Sequence, residues 1–229
     1  MTGTPKAGKA PFDANLAGQH AHPPTMSRNE GARIFGHQAL EALTRTHIAV
    51  PLVLFYGSGI AGILHSALHL PIGSWALSGM VLLGVLTFTL VEYLIHRFLY
   101  HIPADGPGRA RFQFIIHGVH HEHPRDKRRL AMPPILSVLI AVLLMGLLHW
   151  LLGPQGLSFG AGFLMGYATY LLIHYSIHAY RPPRNFLRAL WKHHHLHHYA
   201  GDDRAFGVSS PLWDWVFGTL PREPRDRKG

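Results

Sequence analysis

Histidine carries the chemistry this sequence can offer: there are 20 histidines in 229 residues and no cysteine. Ten of them fall into four groups. EYLIHRFLYH holds His96 and His101, IHGVHHEHP holds His117, His120 and His121, HYSIH holds His174 and His178, and WKHHHLHHYA holds His194, His197 and His198. Without cysteine there is no disulfide, thiolate ligand or sulfur nucleophile, so any metal must be held by imidazole or oxygen. Imidazole is mostly neutral at pH 7 and suits iron, zinc and copper. The second and fourth groups share offsets of three and four residues, which bring side chains to one face of a helix. A catalytic zinc takes about three protein ligands and keeps one position open. Ten clustered histidines exceed that and point to two metals with about four or five ligands each. Such a pair, with open positions, suits reduction of oxygen and attack on an unactivated C–H bond. Iron is the expected working metal, and zinc can take its place in isolated protein because it competes well for nitrogen ligands.

Something must hold these groups at one level, and the hydrophobic pattern supplies it. Four apolar stretches, about Ile48 to Leu64, Trp75 to Ile95, Ile135 to Leu152 and Leu157 to Ile177, are each near the roughly 20 residues that cross a hydrocarbon core of about 30 Å. Pro71 and Gly73 break the chain between the first two, and Gly153-Pro154-Gln155-Gly156 between the last two, so two tight hairpins follow. The fold class expected is all-α: four transmembrane helices under a cytosolic helical cap that carries the histidine-rich dimetal site. Of the 21 lysines and arginines, five precede residue 48, seven lie in 97–129 and nine in 181–229. Neither tight loop has one. By the positive-inside rule the termini and the long middle loop are cytoplasmic. A rise of about 1.5 Å per residue brings His96 to that interface some 30 Å after Trp75, and His174 and His178 end the fourth span at the same side. The net charge of +9 then reads as a basic rim beside anionic lipid, not as a nucleic-acid surface.

Residues 1–26 read as a disordered tail and not a signal peptide, since no apolar core follows the early lysines; residues 27–229 read as one membrane domain. Ser27-Arg28-Asn29-Glu30 has capping-box spacing and predicts an interfacial helix on which Phe35, Ala39 and Leu43 share a face. The other histidines divide by position. His65, His69 and His149 lie at the opposite end and read as structural, and His20, His22, His37 and His47 as unrelated to the site. His123, His193 and His195 adjoin the groups and read as orienting donors or solvent-facing neighbours. Asp126, Arg129, Pro133 and Pro134 read equally as head-group contacts or as a turn into the third span, Trp213 and Trp215 as interfacial anchors rather than substrate contacts, and Tyr170 and Tyr175 as aromatic packing ahead of an acyl-tunnel lining. A metal transporter is a competing class, but transporters place their ligands near the bilayer midplane. HHEH at His120 to His123 is not the zinc-protease motif His-Glu-x-x-His.

The run EYLIHRFLYH, HGVHHEHPRDKRRLAMPP, HYSIH, HHHLHHY, closing on FGVSSPLWDWVFGT, resembles the fatty acid 2-hydroxylase branch of the sterol desaturase and fatty acid hydroxylase superfamily. The similarity runs from about Glu92 to Thr219, in the family's order. It implies a dimetal centre held by His96, His101, His117, His120, His121, His174, His178, His194, His197 and His198. In the triple His193-His194-His195, His194 keeps the right offsets. It also implies hydroxylation of a fatty acid, free or amide-linked as in a ceramide, with two iron ions, O2 as co-substrate and an external electron donor. Desaturation, or hydroxylation of a sterol, carotenoid or ornithine lipid, would use the same centre. Some relatives carry a fused haem domain with a His-Pro-Gly-Gly signature. Residues 1–47 lack it, so the expected donor is a separate cytochrome, ferredoxin or reductase.

Overall fold

The structure is a computed structural model and describes residues 33–201 and 203–222. Every regular element among the described residues is helical. A short α1 (Gln38–Leu43) precedes the long α2 (Ala49–His69) and α3 (Ser74–Ile95), the latter prolonged by a π-helical turn, His96–Tyr100. The middle loop holds α4 (Pro107–Gln113), a second π turn (Phe114–Gly118) and α5 (Val119–Glu122). Then come α6 (Pro134–Leu152), α7 (Gln155–Ala179), α8 (Arg188–Ala200) and α9 (Leu212–Val216). Among the described residues four helices are long and apolar enough to cross a bilayer: α2, α3 with its π turn, α6 and α7. On α6, Ile135, Val142 and Trp150 are 70%, 64% and 77% exposed. An apolar face that open needs lipid to cover it. The chain is a multi-pass membrane protein.

The spans run slightly beyond their sequence-based limits. The first was expected to end at Leu64 but continues to His69, and it stops because Leu70 precedes Pro71. The proline ring excludes helical geometry from its predecessor, and Leu70 is extended at φ −102°, ψ 144°. The fourth gains a turn, from Gln155 to Ala179. Of the expected interfacial helix, Ser27 to Glu30 lie outside the described residues, and among the described residues helix begins at Gln38. Just before it, the Glu41 carboxylate accepts the N–H groups of Ile34 and Phe35, both at 3.0 Å, and folds the chain back across α1. The same carboxylate pairs with buried Arg129. Arg129 also donates to the Thr44 hydroxyl at 3.0 Å, and Thr46 N–H donates to the Arg128 carbonyl at 2.9 Å. Arg129, read from sequence as part of a turn, is thus the post that pins α1 to the middle loop.

Helix α7 is the centre, packed against α2, α3 and α6. Its buried positions are largely small: Gly156, Ser158, Gly160, Ala161, Gly162, Gly166 and Ala168. Small residues let membrane helices approach until backbones touch. Gly62 faces Ala161 and Gly59 faces Met165, which makes α2 antiparallel to α7. Against α3 the order is the same along both helices: Gly162 lies on Val81 and Gly166 on Phe88. Helices α3 and α7 are therefore parallel, and both deliver their terminal histidines to one end of the bundle. There Ile177, Trp191 and Val208 tie α7 to α8 and the C-terminal segment.

Candidate metal centre

The ten histidines arrive on four pieces of chain, and the local helix geometry decides where each one points. His96 and His101 are five apart. On a regular helix of 3.6 residues per turn that spacing leaves two side chains about 140° apart. The π turn His96–Tyr100 is wider, with i→i+5 hydrogen bonds, so each residue turns the chain by less than in an α-helix and the two rings come within 5.2 Å, facing the same neighbours. The second π turn, Phe114–Gly118, does the equivalent for His117. His174 and His178, one ordinary turn apart, close α7, and α8 supplies the rest.

Together they form two clusters. The first holds His96, His101, His117, His121 and His197; the second holds His120, His174, His178, His194 and His198. Within each, one nitrogen from every ring lies within 4.8 Å of all the others. The triples expected to act as single faces are split between the clusters: His120 leaves His117 and His121, and His197 leaves His194 and His198. In the first cluster the Nε2 atoms of His96 and His117 are 3.1 Å apart, those of His117 and His121 3.0 Å, and those of His101 and His197 3.0 Å. In the second, His120 lies 3.0 Å from His174 and 3.1 Å from His198, while His194 lies 3.0 Å from His198 and 2.9 Å from His178.

These separations test whether the residues fit a metal. With metal–nitrogen bonds of about 2.0–2.1 Å, ligands at right angles are about 2.9–3.0 Å apart, and tetrahedral ligands about 3.4 Å. The separations match right angles, and with five rings in each cluster they fit a five- or six-coordinate ion better than a closed tetrahedral one. Two backbone carbonyls support the same view. His96 Nδ1–H donates to the Phe206 carbonyl at 2.5 Å, and His197 Nδ1–H to the Arg204 carbonyl at 2.7 Å. A carbonyl only accepts, so both rings must carry their proton on Nδ1 and present a bare Nε2 lone pair to the cluster. Burial, and after it the neighbouring imidazoles, hold His117, His120, His194 and His198 well below the ordinary histidine range. They are neutral at pH 7, as metal ligands must be.

The remaining described histidines stay outside both clusters. His193 faces away and donates from Nε2 to Asp214 at 3.0 Å. His195 packs near Tyr199, and the His123 carbonyl accepts the Asp126 N–H in a turn. His65 and His69 contact each other near the far end of α2, and His149 lies near the far end of α6. His37 and His47 flank α1, and His20 and His22 lie outside the described residues. Sequence reasoning missed Glu92 and Asp214, both buried beside the clusters. Glu92 had a signal: it is the one acid in an apolar span, and intramembrane charges are functional by default. Asp214 is held below the ordinary carboxylate range. Burial pushes it up, but donors from His193, Thr219 and Gly207 outweigh that.

Two cavities meet beneath the clusters. One, of about 310 Å³, reaches His117, His120 and His174 and carries Thr44 and Arg129. The other, of about 260 Å³, runs between the spans among Phe55, Phe88, Leu144, Phe163 and Leu164 and reaches His96. Tyr100, Met132, Tyr167 and Tyr170 line both. The Tyr100 ring stacks on His117 (4.8 Å, 19°) and Tyr170 on His174 (5.5 Å, 15°). Tyr170, read from sequence as packing, therefore both packs and lines a cavity. Trp213 donates to the Thr89 hydroxyl at 2.9 Å, while Trp215 is exposed in the manner of an anchor.

Fold and site together define a multi-pass membrane protein with paired histidine clusters above an apolar cavity. The family model for fatty acid hydroxylases matches residues 81–219, and the chain belongs to that family. It is 38% identical over 199 residues to dihydroceramide fatty acyl 2-hydroxylase FAH2 of Arabidopsis thaliana, covering 84% of this chain and 81% of that protein. It is 39% identical over 151 residues to fatty acid 2-hydroxylase of Homo sapiens, covering 64% of this chain and 41% of that one. Among solved structures it is similar to full-length scs7p, in which only the hydroxylase domain is visible. The TM-score is 0.68 and the identity 34%, with 83% of this chain and 73% of that chain covered. The homologues make the chain an oxidoreductase.

Proposed function

We propose that this protein is a membrane-bound, non-haem diiron hydroxylase that adds oxygen to the acyl chain of a fatty acid or fatty-acyl lipid, with the 2-position of a ceramide-type acyl amide the favoured site. The ligands are His96, His101, His117, His121 and His197 for one ion and His120, His174, His178, His194 and His198 for the other. When bound, the two ions supply O2 reduction and C–H oxidation. One oxygen atom would enter the C–H bond and the other leave as water, with two electrons from a separate cytochrome, ferredoxin or reductase and two protons from solvent. By the distribution of lysine and arginine, the clusters and both termini lie on the cytoplasmic side, which opens the site to soluble donors.

The observation that carries this reading is the junction of the two cavities at Tyr100 and Tyr170, each stacked on a histidine from a different cluster. The cavity between the spans is walled by aromatic and aliphatic side chains and suits an acyl tail. The other carries Thr44 and Arg129 and suits a polar head. The carbon next to the acyl carbonyl is where head ends and tail begins. A lipid threaded through both cavities sets that carbon at the junction, directly below both clusters. Tyr100 and Tyr170 orient it there, and Met132, Phe88 and Leu164 exclude water around the chain below.

Expression with iron in a host of defined lipids, followed by lipid mass spectrometry, tests this reading. Wild type should yield acyl chains with one added oxygen at the 2-position, and His178→Ala should yield none. Products lacking two hydrogens, or oxygen placed far along the chain, would overturn it.

A further inference from the structure

The segment 204–209 crosses the first cluster as a strap, and two buried carboxylates hold it. Asp214, fully buried, accepts the N–H groups of Phe206 (2.9 Å) and Gly207 (2.7 Å). Glu92, one turn before His96, accepts those of Val208 (2.6 Å) and Ser209 (2.9 Å), and the Ser209 hydroxyl as well. Ala205 N–H donates to the Thr219 carbonyl at 2.8 Å. Five consecutive N–H groups are thereby turned away from the cluster. Ala205 itself has φ +61°, a left-handed conformation uncommon for residues other than glycine. That reversal lets the carbonyls on either side of it, those of Arg204 and Phe206, both reach ring nitrogens of the first cluster. Strained backbone of this kind persists only where its surroundings over-determine it.

We propose that Asp214 and Glu92 are positioning residues for one of the two metals only: through the strap they aim the carbonyls of Arg204 and Phe206 at His197 and His96, and so fix those two ligands. This rests on the dimetal reading above. His193 and Thr219 complete the clamp by donating to Asp214, at 3.0 and 2.7 Å. Among the described residues the second cluster has no such strap. The Nδ1 atoms of its His174, His194 and His198 are buried without a hydrogen-bond partner among the described residues. The two metal positions are therefore inequivalent, and the clamp governs the first.

Titration of the purified full chain with Co2+ alone, read by its visible absorption and by competition with a chelator, tests this. Wild type should bind two ions. Asp214→Asn and Glu92→Gln keep volume but replace an accepting oxygen with a donating amide, and each should weaken one ion by about 10–100-fold while the other keeps its affinity. In a His178→Ala background, which disables the second position, Asp214→Asn should still weaken the remaining ion. In a His101→Ala background it should not. Thr219→Val removes the hydroxyl that donates to Asp214 and also pairs with the Tyr93 hydroxyl; it leaves both carboxylates in place and should give a smaller loss of the same ion, so it decides the matter if the carboxylate variants fail to accumulate. Equal weakening of both ions, or none in any of the three, overturns the proposal. Wild type that binds fewer than two ions refutes the dimetal reading instead.

Discussion

The crossing of α3 and α7 sets the distance between the two halves of the site, and Gly162→Ala measures how closely. A Cβ at Gly162 would stand 2.8 Å from the Val81 carbonyl carbon and 2.9 Å from Val81 Cα, and closer still to the Val81 oxygen. These are backbone atoms, so no side chain can swing aside. Carbon atoms pack at about 3.5–4.0 Å, which means the helices must part by about 0.7 Å or more. Gly162 lies twelve residues before His174, and Gly84, in the same crossing, twelve before His96. The rings ride about 18 Å above the contact on parallel rods. A catalytic constellation tolerates about 0.5 Å of displacement, and an error near 1 Å costs up to about 100-fold in rate. Gly162→Ala should therefore lower product formation by roughly 10–100-fold and destabilise the bundle by about 1–3 kcal/mol. Gly79→Ala, on α3 with nothing within 4 Å of the new methyl, is the matched control and should behave as wild type. Product is measured by lipid mass spectrometry and stability by thermal unfolding in detergent. Wild-type turnover and melting in Gly162→Ala would refute the claim that this crossing sets the site.

Three further outcomes follow from the same geometry. Glu41→Ala removes the main partner of buried Arg129 and should cost about 3 kcal/mol, seen as a melting point lowered by several degrees. Asp126, 3.3 Å away, keeps the loss from being larger. Acid should destabilise the metal-free protein: His117, His120, His194 and His198 are depressed when folded, so below about pH 6.5 the unfolded chain takes up protons that the folded one refuses. Each such ring then costs about 1.4 kcal/mol per pH unit. Stability should be flat above that pH and fall steadily below it, as followed by chemical denaturation across pH. His65→Ala should leave metal content and product unchanged, because its ring pairs with His69 outside both clusters; metal analysis checks this.

Much of this architecture was legible because a bilayer reduces the problem to length and polarity. The four spans, their hairpins and the shared end of the histidines followed from apolar runs and charge placement. What the sequence hid was geometry finer than a helical turn. Nothing in EYLIHRFLYH announces the π turn that lets His96 and His101 converge. Offsets of three and four looked like one face, yet on a helix residues i+3 and i+4 lie about 60° and 40° to opposite sides of residue i. That 100° difference sends His120 and His197 to the other cluster. The strap was equally invisible, since it depends on Ala205 in a conformation alanine rarely takes. Glu92 was legible in principle and was passed over among the histidines around it.

On the proposed dimetal reading, the division of the ten histidines between two clusters explains why four boxes are needed and why two of them are triples. His96 and His101 serve the first cluster, and His174 and His178 the second. Two rings each would leave both ions under-coordinated. The triples close both sites reciprocally: α5 and the turn before it give His117 and His121 to the first cluster and His120 to the second, while α8 gives His194 and His198 to the second and His197 to the first. Each triple therefore bridges both positions, and each fixes the spacing that the other would leave free. The spans alone could not do this, because rods packed on a glycine contact still slide and tilt about it. Two short helices that each grip both clusters convert a bundle of spans into a site of fixed dimensions, and it is this cross-bracing that an acyl chain entering between the spans would meet.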